Sequence, residues 1–254
     1  MNSNIFLLAM KYEEVSWYSD RLNRVMHVKI YGHFGPAFIA FPCQGKQSDD
    51  FYLNGAIDRL SWFLENGKMK LFCVDSNDDQ TVSSTSWDKA HAGYQFEQYH
   101  QYIVNEVLPF VYTNMGGYVQ PYCIGASMGA SHAANMFFRR PDLFAGFIAL
   151  SGKYDMSSFF DNYMDSNIYN NSPIDYLRNM PNNHPYINIY NQKTMIVVIG
   201  RGAWEWLFSN SNYELARIAN EKGVAIDFNF WDENSTHDWP SWNYQFHYFL
   251  SKIL

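Results

Sequence analysis

The sequence predicts an α/β fold: one domain over residues 1–254, with a mostly parallel central sheet flanked by helices on both faces. Three observations predict it. Short apolar runs of strand length alternate along the chain with longer amphipathic stretches, the rhythm of strand–helix repeats. The runs 37–41 and 195–199 are apolar at every position, as strands buried on both faces are. Finally, 254 residues that are 47% hydrophobic and 17% charged can bury one sizeable core and are far from the composition of a disordered chain.

The elements follow in order. Residues 25–31 alternate, with Met26, Val28 and Ile30 on one side, and read as an early strand; Gly32 to Pro36 reads as a turn. A buried strand at 37–41 ends at Pro42. Residues 55–66 carry Ile57, Leu60, Phe63 and Leu64 on a helical face, stopped by Gly67. A strand at 71–74 leads into a polar loop that lasts to about Trp87. Residues 94–111 read as one long helix with Tyr99, Ile103, Val107 and Val111 on one side. A strand at 119–124, a helix at 128–140 stopped by Pro141, and a strand at 144–150 follow. Residues 152–192, rich in Asn, Asp, Tyr, Met and Pro, break the rhythm; they read as an irregular insertion of the kind that caps an active site or packs on its own aromatics. The pattern then resumes with a strand at 195–199, a helix at 212–222, a strand at 225–231 and a final helix at 241–253.

Composition excludes several classes. The net charge is -7 and the one basic pair is Arg139-Arg140, so a nucleic-acid partner is not expected. The apolar stretch from Ile5 to Met10 lacks a basic flank and is too short for a signal core or a membrane span. Cys43, Cys73 and Cys123 each lie in or beside an apolar run, which suits thiols in a reducing, cytoplasmic setting. No H-E-x-x-H, C-x-x-C, G-x-G-x-x-G or P-loop is present, so neither a metal nor a nucleotide cofactor is expected. Asp49-Asp50 and Asp78-Asp79 read as loop charges. No segment marks an interface, and a homo-oligomer is left open.

The chemistry centres on Gly125-Ala126-Ser127-Met128-Gly129, a G-x-S-x-G pattern. The pattern alone is weak; its setting gives it weight. It follows the apolar Cys123-Ile124 and opens a helix of small residues, Gly129, Ala130, Ser131, Ala133 and Ala134, as a nucleophile elbow requires. The tight turn holds Ser127 exposed, and the helix N-terminus aims free N–H groups, that of Met128 first, at a developing oxyanion. A serine hydroxyl needs a base. Of eight histidines, His237 follows the last strand and precedes the final helix, which suits the chain order serine, acid, histidine. His27 and His33 come too early, His132 and His247 sit inside helices, and His91, His100 and His184 read as surface residues, His91 near enough to border a pocket. The acid is assigned to Glu205, the first carboxylate after the strand at 195–199, with Asp232 and Glu233 as rivals nearer His237 in sequence. A second oxyanion N–H is expected from Gln44, Gly45 or Lys46, in the loop after the strand at 37–41.

With these residues in place, the chain resembles the α/β-hydrolases of the esterase family that includes esterase D-type S-formylglutathione hydrolases and the antigen 85 mycolyltransferases. The resemblance runs from about Val25 to Ile253. It is carried by Ala40-Phe41-Pro42-Cys43-Gln44-Gly45, by Gly125 to Gly129, by Leu150-Ser151-Gly152 and by Ser172-Pro173-Ile174-Asp175-Tyr176-Leu177. Gly200 to Glu205 and, most specifically, His237-Asp238-Trp239-Pro240-Ser241-Trp242 complete it. It implies the α/β-hydrolase fold, with Ser127, Glu205 and His237 as nucleophile, acid and base. The chain departs from the pattern at the oxyanion loop, which lacks the His-Gly start of many esterases, and at 152–192, which matches no known substrate pocket.

The expected function is a serine carboxylesterase acting on small or short-acyl esters through an acyl-enzyme, with a small-molecule ester as partner and no membrane or nucleic acid. Two alternatives stand beside it: an acyltransferase to a sugar or other alcohol, with Trp87, Trp204, Trp206 and Trp239 as candidate stacking surfaces, and a non-catalytic binding module on a hydrolase scaffold.

Overall fold

The computed structural model describes residues 10–254; the apolar stretch that begins at Ile5 lies outside them as far as Ala9. Eight strands form one sheet: β1 (Tyr12–Ser19), β2 (Arg24–Tyr31), β3 (Ala37–Phe41), β4 (Lys70–Val74), β5 (Tyr122–Ala126), β6 (Gly146–Leu150), β7 (Thr194–Ile199) and β8 (Asp227–Phe230). Their spatial order is β1-β2-β4-β3-β5-β6-β7-β8. β1 and β2 form an antiparallel hairpin, β2 runs antiparallel to β4, and every later neighbour is parallel. This is the mostly parallel α/β sheet that the buried apolar runs predict.

The helices are α1 (Asp50–Leu53), α2 (Ala56–Arg59), α3 (Ser61–Glu65), α4 (Lys89–Tyr102), α5 (Leu108–Met115), α6 (Met128–Arg139), α7 (Ser166–Asn170), α8 (Pro173–Asn179), α9 (Pro185–Tyr190), α10 (Trp206–Lys222) and α11 (Trp239–Ile253). They form two layers because alternate strand residues face opposite ways. Ala37, Ile39 and Phe41 of β3 point into a core with Tyr102, Ala133, Phe137 and Leu215, from α4, α6 and α10. Phe38 and Ala40 point into a second core with Ile57, Phe246 and Leu250, from α2 and α11.

Several boundaries differ from the sequence expectation, each for a local reason. The helix expected at 55–66 is two short pieces, α2 and α3, because Leu60 leaves helical geometry at ψ 3; a further short helix, α1, precedes them and is separated from α2 by Gly55 at φ +76. The helix expected at 94–111 starts earlier, where the Asp88 side chain accepts the His91 N–H. It is then interrupted by a π-turn at Ile103–Val107. Pro109 explains the interruption: it has no N–H to donate, and its ring would clash with the carbonyl of Asn105 in a continuous α-helix. β5 starts after Pro121 rather than at 119, and β6 and β8 are shorter than expected. α10 begins at Trp206, six residues before the periodic stretch at 212. α11 begins at Trp239 because Asp238 caps it, accepting from the Ser241 N–H, with Pro240 in its first turn. β1 was not anticipated from sequence; as an edge strand it is only half-buried on one face.

The segment 152–192 holds a 3-10 turn at Ser157–Phe160 and the helices α7 to α9. Ile174, Leu177, Ile187 and Tyr190 belong to the core beneath α6 and α10, so much of the segment is part of that helical layer.

Candidate active site

The site is assembled at the C-terminal ends of the parallel strands, where loops from neighbouring strands meet. β5 ends at Ala126 and α6 starts at Met128, so Ser127 alone makes the turn, at φ 54 and ψ -122. A non-glycine residue at such a φ carries strain of about 1–3 kcal/mol, which the surroundings must hold. They do so by close approach. A Cβ at Gly125 would lie 2.2 Å from the Gly129 carbonyl carbon, and one at Gly129 would lie 2.2 Å from the Phe41 oxygen. Both glycines of the motif are therefore dictated by the crossing of strand and helix.

His237 lies in the loop between β8 and α11, with its N–H donating to the Ala203 carbonyl at 3.0 Å. Its Nε2 is 3.0 Å from the Ser127 Oγ. The ring stacks flat on Phe208 at 4.1 Å and meets the edge of Trp242 at 4.8 Å, so its plane is fixed from two sides. Its Nδ1 lies 3.4 Å from Glu205 Oε2. That is longer than a charge-assisted hydrogen bond of about 2.8 Å, and such contacts tighten when substrate is bound. Glu205, at the N-terminus of α10, is fully buried. Its Oε1 accepts a 2.6 Å hydrogen bond from the Ser151 hydroxyl, which in turn accepts from the Trp242 indole N–H at 3.0 Å. The rivals face elsewhere: Asp232 is exposed and accepts from the Asn234 N–H, and Glu233 is exposed beside Arg201 at 3.3 Å.

The loop after β3 lies against this group. Of the three candidate oxyanion donors, the Gly45 N–H donates to Asp78 Oδ2 at 2.9 Å and the Lys46 N–H to the Cys43 carbonyl at 3.0 Å. The N–H groups of Gln44 and Met128 have no partner among the described residues. A cleft of about 470 Å³ opens here, bounded by Ser127, His237, Gln44, Lys46, Leu53 and Trp239. No residue of 152–192 lines it.

Several polar residues lie where sequence did not place them. Asp50 and Asp78, read as loop charges, are buried. Asp50 accepts from the Cys43 N–H at 2.8 Å, and burial raises its pKa. Asp78 pairs with the buried His132 at 3.2 Å. His100, read as a surface residue, is buried with both ring nitrogens unpartnered, and burial pushes its pKa down to about 3. His91 is exposed. Cys43 borders the cleft, but burial and the neighbouring Asp50 push its thiol well above the usual range, so it is no competing thiolate nucleophile. Trp87, Trp204 and Trp206 are exposed and Trp239 forms a cleft wall. Ser151, Phe208 and Trp242 received no role from sequence, although the first and last lie in segments that carry the family resemblance. Among the described residues, no group of three or more His, Cys, Asp or Glu side chains could hold a metal ion. No helix among them is long and apolar enough to cross a membrane.

The family model Esterase, described as "Putative esterase", matches residues 19–253. The chain belongs to this esterase family. It is thus an enzyme of the serine hydrolase class, on an α/β-hydrolase fold. Similar solved structures include a ferulic acid esterase (TM-score 0.75, 15% identity, covering 96% of this chain and 99% of that one). Another is the S-formylglutathione hydrolase of Staphylococcus aureus (TM-score 0.68, 13% identity, 96% of each chain). A third is MPT51 of Mycobacterium tuberculosis (TM-score 0.66, 14% identity, 96% and 98%). At these identities the likeness is one of fold. No curated protein matches the chain in sequence.

Proposed function

We propose that this esterase hydrolyses small or short-acyl carboxylic esters through an acyl-enzyme on Ser127, with His237 as general base and Glu205 as the acid that orients it. The observation that carries the reading is the 3.0 Å contact between His237 Nε2 and the Ser127 Oγ at the turn of the elbow. Glu205 keeps the proton of the neutral imidazole on Nδ1, which leaves Nε2 free to accept the serine proton. Ser127 attacks the ester carbonyl as its proton passes to Nε2. The carbonyl oxygen takes the negative charge between the N–H groups of Met128 and Gln44, neither of which has a partner among the described residues. The imidazolium then protonates the leaving alcohol. Water repeats the sequence on the acyl-enzyme, giving its proton to His237 and releasing the acid. Each oxyanion donor contributes roughly 10²–10³ in kcat. The open cleft beside Ser127, walled by Leu53 and Trp239, supports a small substrate group rather than a long enclosed chain.

The test is hydrolysis of p-nitrophenyl esters from acetate to octanoate by the wild type and Ser127→Ala, with acceptor alcohols added in a second series. The expected result is loss of several orders of magnitude in Ser127→Ala, an optimum at short acyl chains, and free acid as the main product. Undiminished activity in Ser127→Ala would remove the mechanism. An ester product that outweighs the acid would make the enzyme an acyltransferase.

A further inference from the structure

The mechanism leaves one buried hydrogen-bonded pair unused. Asp78, in the turn after β4, and His132, five residues past Ser127 on α6, are both nearly inaccessible, each with a side chain 1% exposed. The two carboxylate oxygens of Asp78 face different parts of the site. Oδ1 lies 3.2 Å from His132 Nε2, and Oδ2 accepts the Gly45 N–H at 2.9 Å. One side chain thus ties the loop after β3 to the helix that begins at the nucleophile. His132 cannot turn away, because the rings of Phe41, Phe96 and Tyr99 surround it at 6.1, 5.7 and 5.0 Å. Its Nδ1 has no partner. Since a bare ring nitrogen in the core costs less than an orphaned N–H, the proton belongs on Nε2, where it is donated to Asp78.

What this pair holds is the residue between two anchors. Gln44 is preceded by Cys43, whose N–H is bound by Asp50, and followed by Gly45, whose N–H is bound by Asp78. The Gln44 side chain donates to the Ser83 hydroxyl at 3.0 Å, and the Ser83 N–H donates to the Asp78 carbonyl at 2.8 Å. The main-chain N–H of Gln44 is the group these bonds leave free. An oxyanion donor must point at the place where charge develops, and a displacement of about 1 Å can cost roughly 100-fold in rate.

We propose that the buried Asp78–His132 pair is a positioning device that fixes the Gln44 N–H against the elbow helix, so that the two halves of the oxyanion hole keep their spacing. Asp78 and His132 touch no substrate; they act through Gly45 and α6. The proposal rests on the reading of Ser127 as nucleophile.

The experiment compares wild type, Asp78→Ala, Asp78→Asn and His132→Leu with p-nitrophenyl acetate. Rates are expressed per active site, titrated by saturating labelling with a fluorophosphonate, and folding is checked by thermal melting. A trifluoromethyl ketone serves as transition-state analogue. The expected result is a 10- to 100-fold fall in kcat per titrated site for Asp78→Ala, with KM changed less than about threefold. The ketone should weaken by the same factor as kcat/KM. Asp78→Asn, which keeps an acceptor for the Gly45 N–H, should lose less. His132→Leu removes the donor to Asp78 Oδ1, unties the carboxylate from α6, and supplies the same readings should Asp78→Ala not fold. Variants that fold and turn over within twofold of wild type per titrated site would overturn the proposal, as would a loss that lies wholly in the titratable fraction. A wild type that takes no label at Ser127 would overturn the site reading itself, and the proposal with it.

Discussion

Replacing Glu205 by Gln tests the acid by geometry, because the amide is close to isosteric and the site offers it only two placements. Glu205 is fully buried; Oε1 receives the Ser151 hydroxyl at 2.6 Å and Oε2 faces His237 Nδ1 at 3.4 Å. If the amide nitrogen takes the Oε2 position, it donates to Nδ1 and forces the imidazole proton onto Nε2, toward Ser127, where a general base cannot carry it. If it takes the Oε1 position, it meets a hydroxyl that already accepts the Trp242 N–H, and the Ser151 proton loses its acceptor. The first placement gives the wrong tautomer. The second keeps the tautomer but gives up the negative charge that stabilises the imidazolium. Either way kcat should fall by roughly 10²–10⁴, which is about 3–5.5 kcal/mol of transition-state stabilisation at 1.36 kcal/mol per decade. The assay is p-nitrophenyl acetate hydrolysis, with circular dichroism and thermal melting to show a native fold. Asp232→Asn and Glu233→Gln are the controls and should stay within twofold, since neither side chain reaches His237. A folded Glu205→Gln that keeps a third of the wild-type kcat, or a control that loses as much as Glu205→Gln, would refute the assignment.

Three further predictions concern the support around the site and the core. Ser151→Ala leaves both the Glu205 Oε1 and the Trp242 N–H without a partner, so unfolding free energy should drop by about 2–4 kcal/mol; a drop under about 0.5 kcal/mol in a urea titration would show that this network carries no stability. Phe208→Ala removes the ring stacked on His237 and should lower kcat roughly tenfold by freeing the imidazole, an expectation undone by unchanged turnover in a protein of unchanged fold. His100→Leu concerns pH. Burial holds the folded-state pKa of His100 near 3, below the unfolded value of about 6.5. Between those values the unfolded chain binds the extra proton, so stability is full above about pH 6.5 and is lost as pH falls toward 3, by up to about 1.4 kcal/mol per pH unit. The leucine variant escapes that loss and should gain about 2 kcal/mol on wild type between pH 7 and pH 5. An equal stability difference at the two pH values would count against a neutral buried histidine.

Much of the fold was legible because burial on two faces leaves a local mark. β3, β4 and β7 are apolar at nearly every position, and the runs at 37–41, 71–74 and 195–199 stand out for that reason. β1 has no such mark: it lies at the sheet edge and alternates exposed with half-buried residues, Val15 and Trp17 among Glu13, Glu14 and Ser16. The break in the long helix is written in Pro109, yet the periodicity of its apolar residues on both sides hides it. That Ser127 and His237 meet at one place was legible because a strand–turn–helix with small residues and a loop before the final helix each have a local sequence context. Asp50, Asp78 and Ser151 were not, since a carboxylate or hydroxyl in a polar loop looks the same whether it faces water or a buried N–H. Their roles depend on partners 7, 33 and 54 residues away.

What brings those distant partners together is the parallel arrangement of the strands. β4, β3, β5, β6, β7 and β8 are neighbours in space and run the same way, so their C-terminal ends lie side by side along one edge of the sheet. Read along that edge, the loops deliver Asp78, then Gln44 and Gly45, then Ser127, Ser151, Glu205 and finally His237. Neighbours along the edge are hydrogen-bonded across it: Asp78 to Gly45, and Ser151 to Glu205. The order differs from chain order at one place, where β4 lies outside β3. That exchange places Asp78 beside the 43–46 loop, where one carboxylate oxygen accepts the Gly45 N–H and the other faces His132 of α6. The β4–β3–β5 order therefore matters to the proposed chemistry as well as to packing: it brings a buried carboxylate to both the loop that we propose carries the second oxyanion donor and the helix that follows Ser127.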